Sequence, residues 1–470
     1  MNIWTNGIDY TTQQPLTDPI PLHEFGDRLQ TGLQRNASAL RQLQAQTTGH
    51  VSFRNELERA RSANLNDPAT AGWTFLIHKH NPNRSALVER LKPLALHRGM
   101  RDPSLPLTFS GEQPEDWFDW MHQNYMSIRP GDLPHYVLIV GGPDEIPFHF
   151  QSLLAGCAAV GRVAFDRLED LSAYIEKVIE LEKRQAPVVS RKCVLFAPDG
   201  GVLDATHFSH RYMAKPLSGQ IQDLGYEVEK LFDNDATKKR LLDALIDSSP
   251  ALVYTASHGI AATSSTLDVQ KRVNGGVCCQ HVQADHISTW LLTADDVPSD
   301  VAFLEGGVFF QFACYGYGTP AESDFAHWIG GNTCNSSEDF VSALPKRLLM
   351  HPRGPIAYIG HVDTAWLHGF ADPDDPFILD TWQERMAPFR FSINSLFSAV
   401  PVGRALLEMN RRYNFCNSLL TNTFDRLERG KLQMKDVRDS LVQTFITRSD
   451  AQNYMLLGDP GALLRIPLPS

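Results

Sequence analysis

The chain has 470 residues, with 43 basic and 54 acidic side chains for a net charge of −11, and is 43% hydrophobic and 21% charged. At roughly 100–200 residues per domain, this predicts two to four domains or one large α/β unit with an extra lobe, and a core large enough to need no disulfide staples. The acidic balance argues against nucleic acid as the partner, because phosphate binding relies on clustered Lys and Arg.

No basic patch followed by an apolar run opens the chain, and no stretch approaches the ~20 apolar residues of a membrane span. The seven cysteines are scattered without a CxxC pair, which leaves no support for a zinc ribbon or thioredoxin motif. Free thiols and a cytoplasmic location are expected.

Residues 1–70 are polar and irregular and read as an N-terminal arm with a regulatory or packing role. Leu29, Leu33, Leu40 and Leu43 predict a helix within 22–45. A first α/β subdomain is expected over 71–185. It holds the strand WTFLIHKH, a helix over Ser85–His97, an aromatic helix near Trp117–Tyr125, the buried strand HYVLIVGG and a helix over Leu168–Lys183. A second subdomain is expected over 186–470. Strands KCVLFAPDGG, YEVEKLF, ALVYTASHG, GGVFFQFACYGYG and GPIAYIGHVDTAW alternate with helices over 212–224 and 237–246. Helices over Val402–Thr447 and a closing strand in NYMLLGDPGALLRI follow. Such alternation predicts a mostly parallel sheet sandwiched between helices.

In a parallel α/β sheet, ligands bind beyond the carboxyl ends of the strands. Two strands end there in reactive side chains: ALVYTAS runs into His258-Gly259, and GVFFQFA runs into Cys314. A thiol and an imidazole on one sheet edge are what a nucleophile and its base require. Gly259 lets backbone approach closely, so the N–H groups of Gly259 and Cys314 could point at the oxygen of a tetrahedral intermediate. A buried cysteine after an apolar strand is otherwise only a small hydrophobe.

A strand ending in His-Gly followed by one ending in Ala-Cys resembles the clan of caspases, gingipains, clostripain, separase and the CHAT proteases. The ordered segments YVLIVGGPDEIPF, VGRVAFDRLEDLSAYIEKVIELEK, TWLLTADDVPSDVAFLEGGVFFQFACYGYG, GPIAYIGHVDTAW and NYMLLGDPGALLRI resemble the gingipain family most. The resemblance implies a caspase-like α/β/α sandwich with two tandem subdomains. It also implies a cysteine endopeptidase that works through a thioester acyl-enzyme. His258 is then general base and acid, Cys314 the nucleophile, and Gly259 and Cys314 the oxyanion hole. By the same resemblance Asp199 orients the histidine, as an acidic partner would to fix its tautomer, and Trp366 walls the specificity pocket.

The chain departs from the family where gingipains place an acid for Arg or Lys substrates. That position falls on His210, with Arg211 beside it, although a small shift would bring Asp204 there. His361 follows a strand on the same edge and is a candidate substrate contact. The segment KRVNGGVCCQHVQADH reads as an inserted loop in which Cys278 and Cys279 pack. GGPDEIP is a turn and not a phosphate loop. The acidic runs at Asp233–Asp235 and Asp372–Asp375 lack the EF-hand order, so no cofactor is expected and calcium is the one ion they could take. Gingipains are secreted and carry an immunoglobulin-like domain, neither of which is visible here. The expectation is an intracellular protease of signalling or antiviral defence that cuts a protein or peptide substrate under a regulatory protein or inhibitor. Residues 1–70 or the 271–286 loop are the candidate gates. The rival readings are a catalytically silent scaffold and a transpeptidase using the same Cys-His dyad.

Overall fold

The structure, a computed structural model, describes residues 2–35, 64–247, 249–281, 286–326, 336–371 and 379–467. The apolar runs pair into one ten-stranded sheet. Its strands in chain order are β1 (Trp73–His78), β2 (Leu107–Phe109), β3 (Tyr136–Val140), β4 (Ala159–Val163), β5 (Ser190–Ala197), β6 (Glu227–Phe232), β7 (Pro250–Ala256), β8 (Val308–Phe312), β9 (Ala357–His361) and β10 (Tyr454–Leu457). Across the sheet they run β2-β1-β3-β4-β10-β9-β8-β7-β5-β6. Strands β3, β7 and β8 are buried at every position, as parallel strands covered on both faces must be.

The last strand is the seam. β10 pairs in parallel with β4 through Leu457 and Arg162, and antiparallel with β9 from Tyr358–Leu457 to His361–Tyr454. The other neighbours are all parallel. The two halves therefore run in opposite directions, and their carboxyl ends face opposite edges of the sheet.

Alternation along the strands sorts side chains between the two faces. In the first half, Trp73, Phe75, Tyr136 and Leu138 pack with Leu91, Leu94, Leu171 and Tyr174. Leu76, Val137, Ile139 and Val160 turn to the other side, against Trp117, Trp120, Tyr125 and Phe150. Fully burying each such side chain contributes about 1.5–3 kcal/mol, so the apolar pattern decides the register.

Several elements differ from expectation. The helix expected over 212–224 begins at Ala205, passes through a wider π turn at His210–Ala214 and continues to Asp223. Part of the 271–286 loop belongs to a helix, Leu267–Val273, and Val277–Cys278 pairs antiparallel with Leu291–Leu292. Residues 282–285 lie outside the described residues, as do Asp372–Asp375 and 36–63; of the helix expected within 22–45, the described part is Leu22–Arg35. No helix among the described residues is long and apolar enough to cross a membrane.

The start of the N-terminal arm is built into the fold. Asn2–Ile3 pairs with Ile20–Pro21, and Gly7–Asp9 pairs in parallel with Gly259–Ala261. Ile3, Ile20, Leu22 and Phe25 share an apolar cluster with Phe325, Trp366, Leu420, Val442 and Phe445.

Candidate active site

Strands β7 and β8 are adjacent, parallel and in register from Leu252–Val308 to Ala256–Phe312. His258 and Cys314 each stand two residues past the end of their strand, on the same edge of the sheet. Gly259 lets the two loops touch. A Cβ there would stand 1.8 Å from the Cys314 carbonyl oxygen and 2.5 Å from its nitrogen, so no other residue fits.

Cys314 is fully buried. Its Sγ accepts the Ala365 N–H at 3.2 Å and lies 3.6 Å from the Ala365 carbonyl oxygen. Burial pushes the thiol above its ordinary range, and backbone N–H groups of Ala365 and Asn6 offset part of that rise. Tyr315, next in the chain, takes a left-handed backbone at φ 56°, a conformation that costs a β-carbon-bearing residue about 1–3 kcal/mol. Its N–H donates to the Asp363 carbonyl at 2.8 Å, and its hydroxyl lies 3.0 Å from that of Thr364. The turn that carries the thiol is thereby tied to the loop after β9.

His258 Nε2 lies 2.9 and 3.0 Å from the two carboxylate oxygens of Asp204. Burial disfavours the imidazolium, but the charge of Asp204 and its hydrogen bond outweigh this and raise the His258 pKa. Burial likewise works against the Asp204 anion, yet His258 and Thr206 hold that carboxyl well below its usual range. Nδ1, the other ring nitrogen, is buried without a hydrogen-bond partner among the described residues, and the Asn6 backbone adds to the rise in the His258 pKa. Nδ1 is thus the nitrogen left for proton transfer.

The carboxylate on the histidine is Asp204, which corrects the expectation of Asp199. Asp199 stands two residues past the end of β5 and turns to the Gly201 N–H at 2.8 Å and to Nδ1 of His207 and of His210 at 3.0 and 3.2 Å. Asp204 caps the next helix, accepting the Thr206 N–H at 2.7 Å. From that cap it reaches the imidazole. The sequence carries a signal for the cap, an Asp before a helical run, but none for its long-range partner.

The expected substrate contacts lie in different surroundings. His210 is buried, with Nδ1 between Asp199 at 3.2 Å and Asp233 at 3.0 Å, so it is engaged by two carboxylates. These three could also hold a divalent cation, since their ligand atoms lie within 4.8 Å of one another. Arg211 is exposed, its guanidinium 5.7 Å from the centre of the Tyr212 ring. His361 is fully buried, with Nδ1 3.1 Å from the Asp363 carbonyl and Nε2 3.4 Å from Asp450. The Trp366 ring packs edge-on against Phe25 and Phe325, while its backbone bridges to Thr5. Cys278 and Cys279 are buried, which raises both thiols.

A sequence model of peptidase family C25 matches residues 109–465. No curated protein matches the chain. Among solved structures, it is similar to the complex of Porphyromonas gingivalis RgpB pro- and mature domains, at 14% identity and a TM-score of 0.44, covering 83% of this chain and 80% of that chain. It is also similar to a solved structure described as a protease, at 14% identity and a TM-score of 0.47, covering 84% of this chain and 78% of that chain. With a family match spanning both His258 and Cys314, the chain belongs to peptidase family C25, the gingipain family of cysteine peptidases.

Proposed function

We propose that the chain is an endopeptidase whose chemistry is carried by Cys314, His258 and Asp204. The observation that carries the reading is the meeting of the His258-Gly259 and Cys314 loops at the carboxyl ends of two adjacent parallel strands. His258 Nδ1 takes the Cys314 thiol proton as Sγ attacks a peptide carbonyl. The Gly259 N–H, with that of Cys314, receives the developing oxyanion. The same Nδ1 proton then passes to the leaving amine as the C–N bond breaks, which leaves a thioester. Water hydrolyses the thioester, returning the carboxylic acid and the free thiol. Asp204 holds the imidazole by Nε2 and stabilises its protonated form.

The substrate is a protein or peptide, and the burial of the thiol supports an enzyme held in check until its cleft opens. The free, buried cysteines support a reducing compartment. A peptidyl acyloxymethyl ketone tests the reading. Wild type should be labelled and Cys314→Ala should not, with peptide hydrolysis falling by about 10⁶-fold. Absence of labelling with every peptide sequence and after removal of the N-terminal residues would leave a silent scaffold instead.

A further inference from the structure

The cleft at Cys314 is filled by this chain's own residues. The Asn6 N–H donates to the Ala365 carbonyl at 3.1 Å, and the Leu367 N–H donates to the Trp4 carbonyl at 3.4 Å. Between them Thr5 and Trp366 form an antiparallel bridge. Trp4-Thr5-Asn6 thus lies as an added strand against the segment after β9. The Asn6 carbonyl oxygen accepts the Gly259 N–H at 2.8 Å, the donor expected to hold an oxyanion. Beyond Asn6 the chain changes partner, and Gly7–Asp9 runs in parallel with Gly259–Ala261. The switch of partner falls at the Asn6–Gly7 peptide, directly over the thiol: a Cβ on Gly7 would stand 3.2 Å from Cys314 Sγ and 2.4 Å from Leu16 Cδ1.

The side chain of Asn6 is fully buried. Its Nδ2 donates to the Ser257 carbonyl at 2.5 Å, and its Oδ1 has no protein partner among the described residues. A carbonyl acceptor at this place rejects a carboxylate and leaves an apolar side chain with nothing to offer it. Neither Arg nor Lys is implied, since among the described residues the Asn6 side chain meets a backbone carbonyl and no acid.

We propose that Trp4–Asp9 is a built-in substrate: the enzyme cuts its own chain between Asn6 and Gly7, and its pocket takes asparagine before the cut bond with glycine after it. The proposal rests on the peptidase reading above. The reaction is a hydrolysis. Sγ forms a bond to the Asn6 carbonyl carbon while the thiol proton moves to His258 Nδ1. The bond to the Gly7 nitrogen breaks and that nitrogen receives the proton. Water then releases Asn6 as a free carboxylic acid and restores the thiol. Until the cut is made, the segment excludes other substrates. Afterwards the residues up to Asn6 are held by Ile3 and by the short pairing at Asn2–Ile3, so cleavage and opening are separate events.

The test uses the full chain, freshly purified and incubated with reductant, with mass spectrometry of its N-terminal peptides. Wild type should acquire a new N-terminus at Gly7, and Cys314→Ala should stay whole. Asn6→Leu, close in size but without the amide, should be cut about 10²-fold more slowly or worse. Cleavage of the separate peptide WTNGID by the processed enzyme gives the same comparison without altering the fold. A wild-type chain that stays uncut overturns the proposal. If a peptidyl acyloxymethyl ketone with another residue before the warhead still labels Cys314, the peptidase reading survives that failure. If nothing labels Cys314 even after removal of the N-terminal residues, both fall. A chain cut after Asn6 whose labelling favours Arg over Asn overturns the pocket assignment.

Discussion

The two halves of the sheet share one architecture and end in opposite ways. At the carboxyl edge of the first half, polar groups are closed onto each other. Arg162 on β4 is buried, and its guanidinium donates to Gln151 Oε1 and to the carbonyls of Gly141 and Ile146 at 2.6–2.9 Å. Glu145 in the turn after β3 accepts from Asn81 at 2.5 Å. At the corresponding edge of the second half, His258 keeps a buried nitrogen without a partner among the described residues, and Cys314 keeps a buried thiol. Saturated hydrogen bonding makes an edge structural. An edge that can do chemistry must leave at least one group uncommitted, here the second ring nitrogen of His258, and bear the cost of burying it.

The largest test of this contrast acts on the reactive edge. Asp204→Asn should lower kcat/KM by about 10²–10⁴-fold, because an amide neither fixes the tautomer nor stabilises the imidazolium. The sign of its pH effect follows from the same pair. Asp204 raises the His258 pKa, and a protonated His258 cannot accept the thiol proton, so activity in wild type falls as pH drops through that raised value. Without the anion, burial acts on the imidazole against only the smaller opposing effect of the Asn6 backbone, and the pKa falls. The acid limb of the kcat/KM profile should therefore move to lower pH. A limb that stays in place or moves up would remove Asp204 from its role.

A smaller effect is expected on the closed edge. Arg162→Met leaves two buried carbonyls and an amide oxygen without their donor, and should cost about 2–4 kcal/mol in urea unfolding. Activity per folded molecule should be retained. A selective loss of activity at unchanged stability would mean that this edge takes part in the reaction. The smallest effect separates the two acids. Asp199→Asn should change kcat/KM by less than about tenfold, since the carboxylate meets His207 and His210 and not His258.

Much of this was legible in the residues because parallel strands buried on both faces must be apolar throughout. The runs that become β3, β7, β8 and β9 therefore announce themselves, and with them the strand ends that carry His258 and Cys314. Asp204 was hidden because its contact crosses 54 residues of chain, whereas Asp199 stands just past the end of a strand and looks better placed. The segment through Asn6 was harder still. Trp-Thr-Asn-Gly has no helical or alternating period, Asn-Gly alone suggests a turn, and its partners lie more than 250 residues away. Backbone pairing of that kind is specified by the shape of the cleft and leaves no pattern in the strand that fills it.

The seam at β10 has a consequence for how the protein is made. Tyr454–Leu457 joins the halves by pairing with both β4 and β9, yet it follows every residue of the reactive edge in the chain. While the ribosome is still adding residues short of this strand, β4 and β9 each present an unpaired side in the middle of the future sheet. Exposed strand sides of that kind invite pairing with other chains, so the nascent protein needs shielding until its last strand emerges. The sheet bearing the thiol is joined to its other half only at that moment.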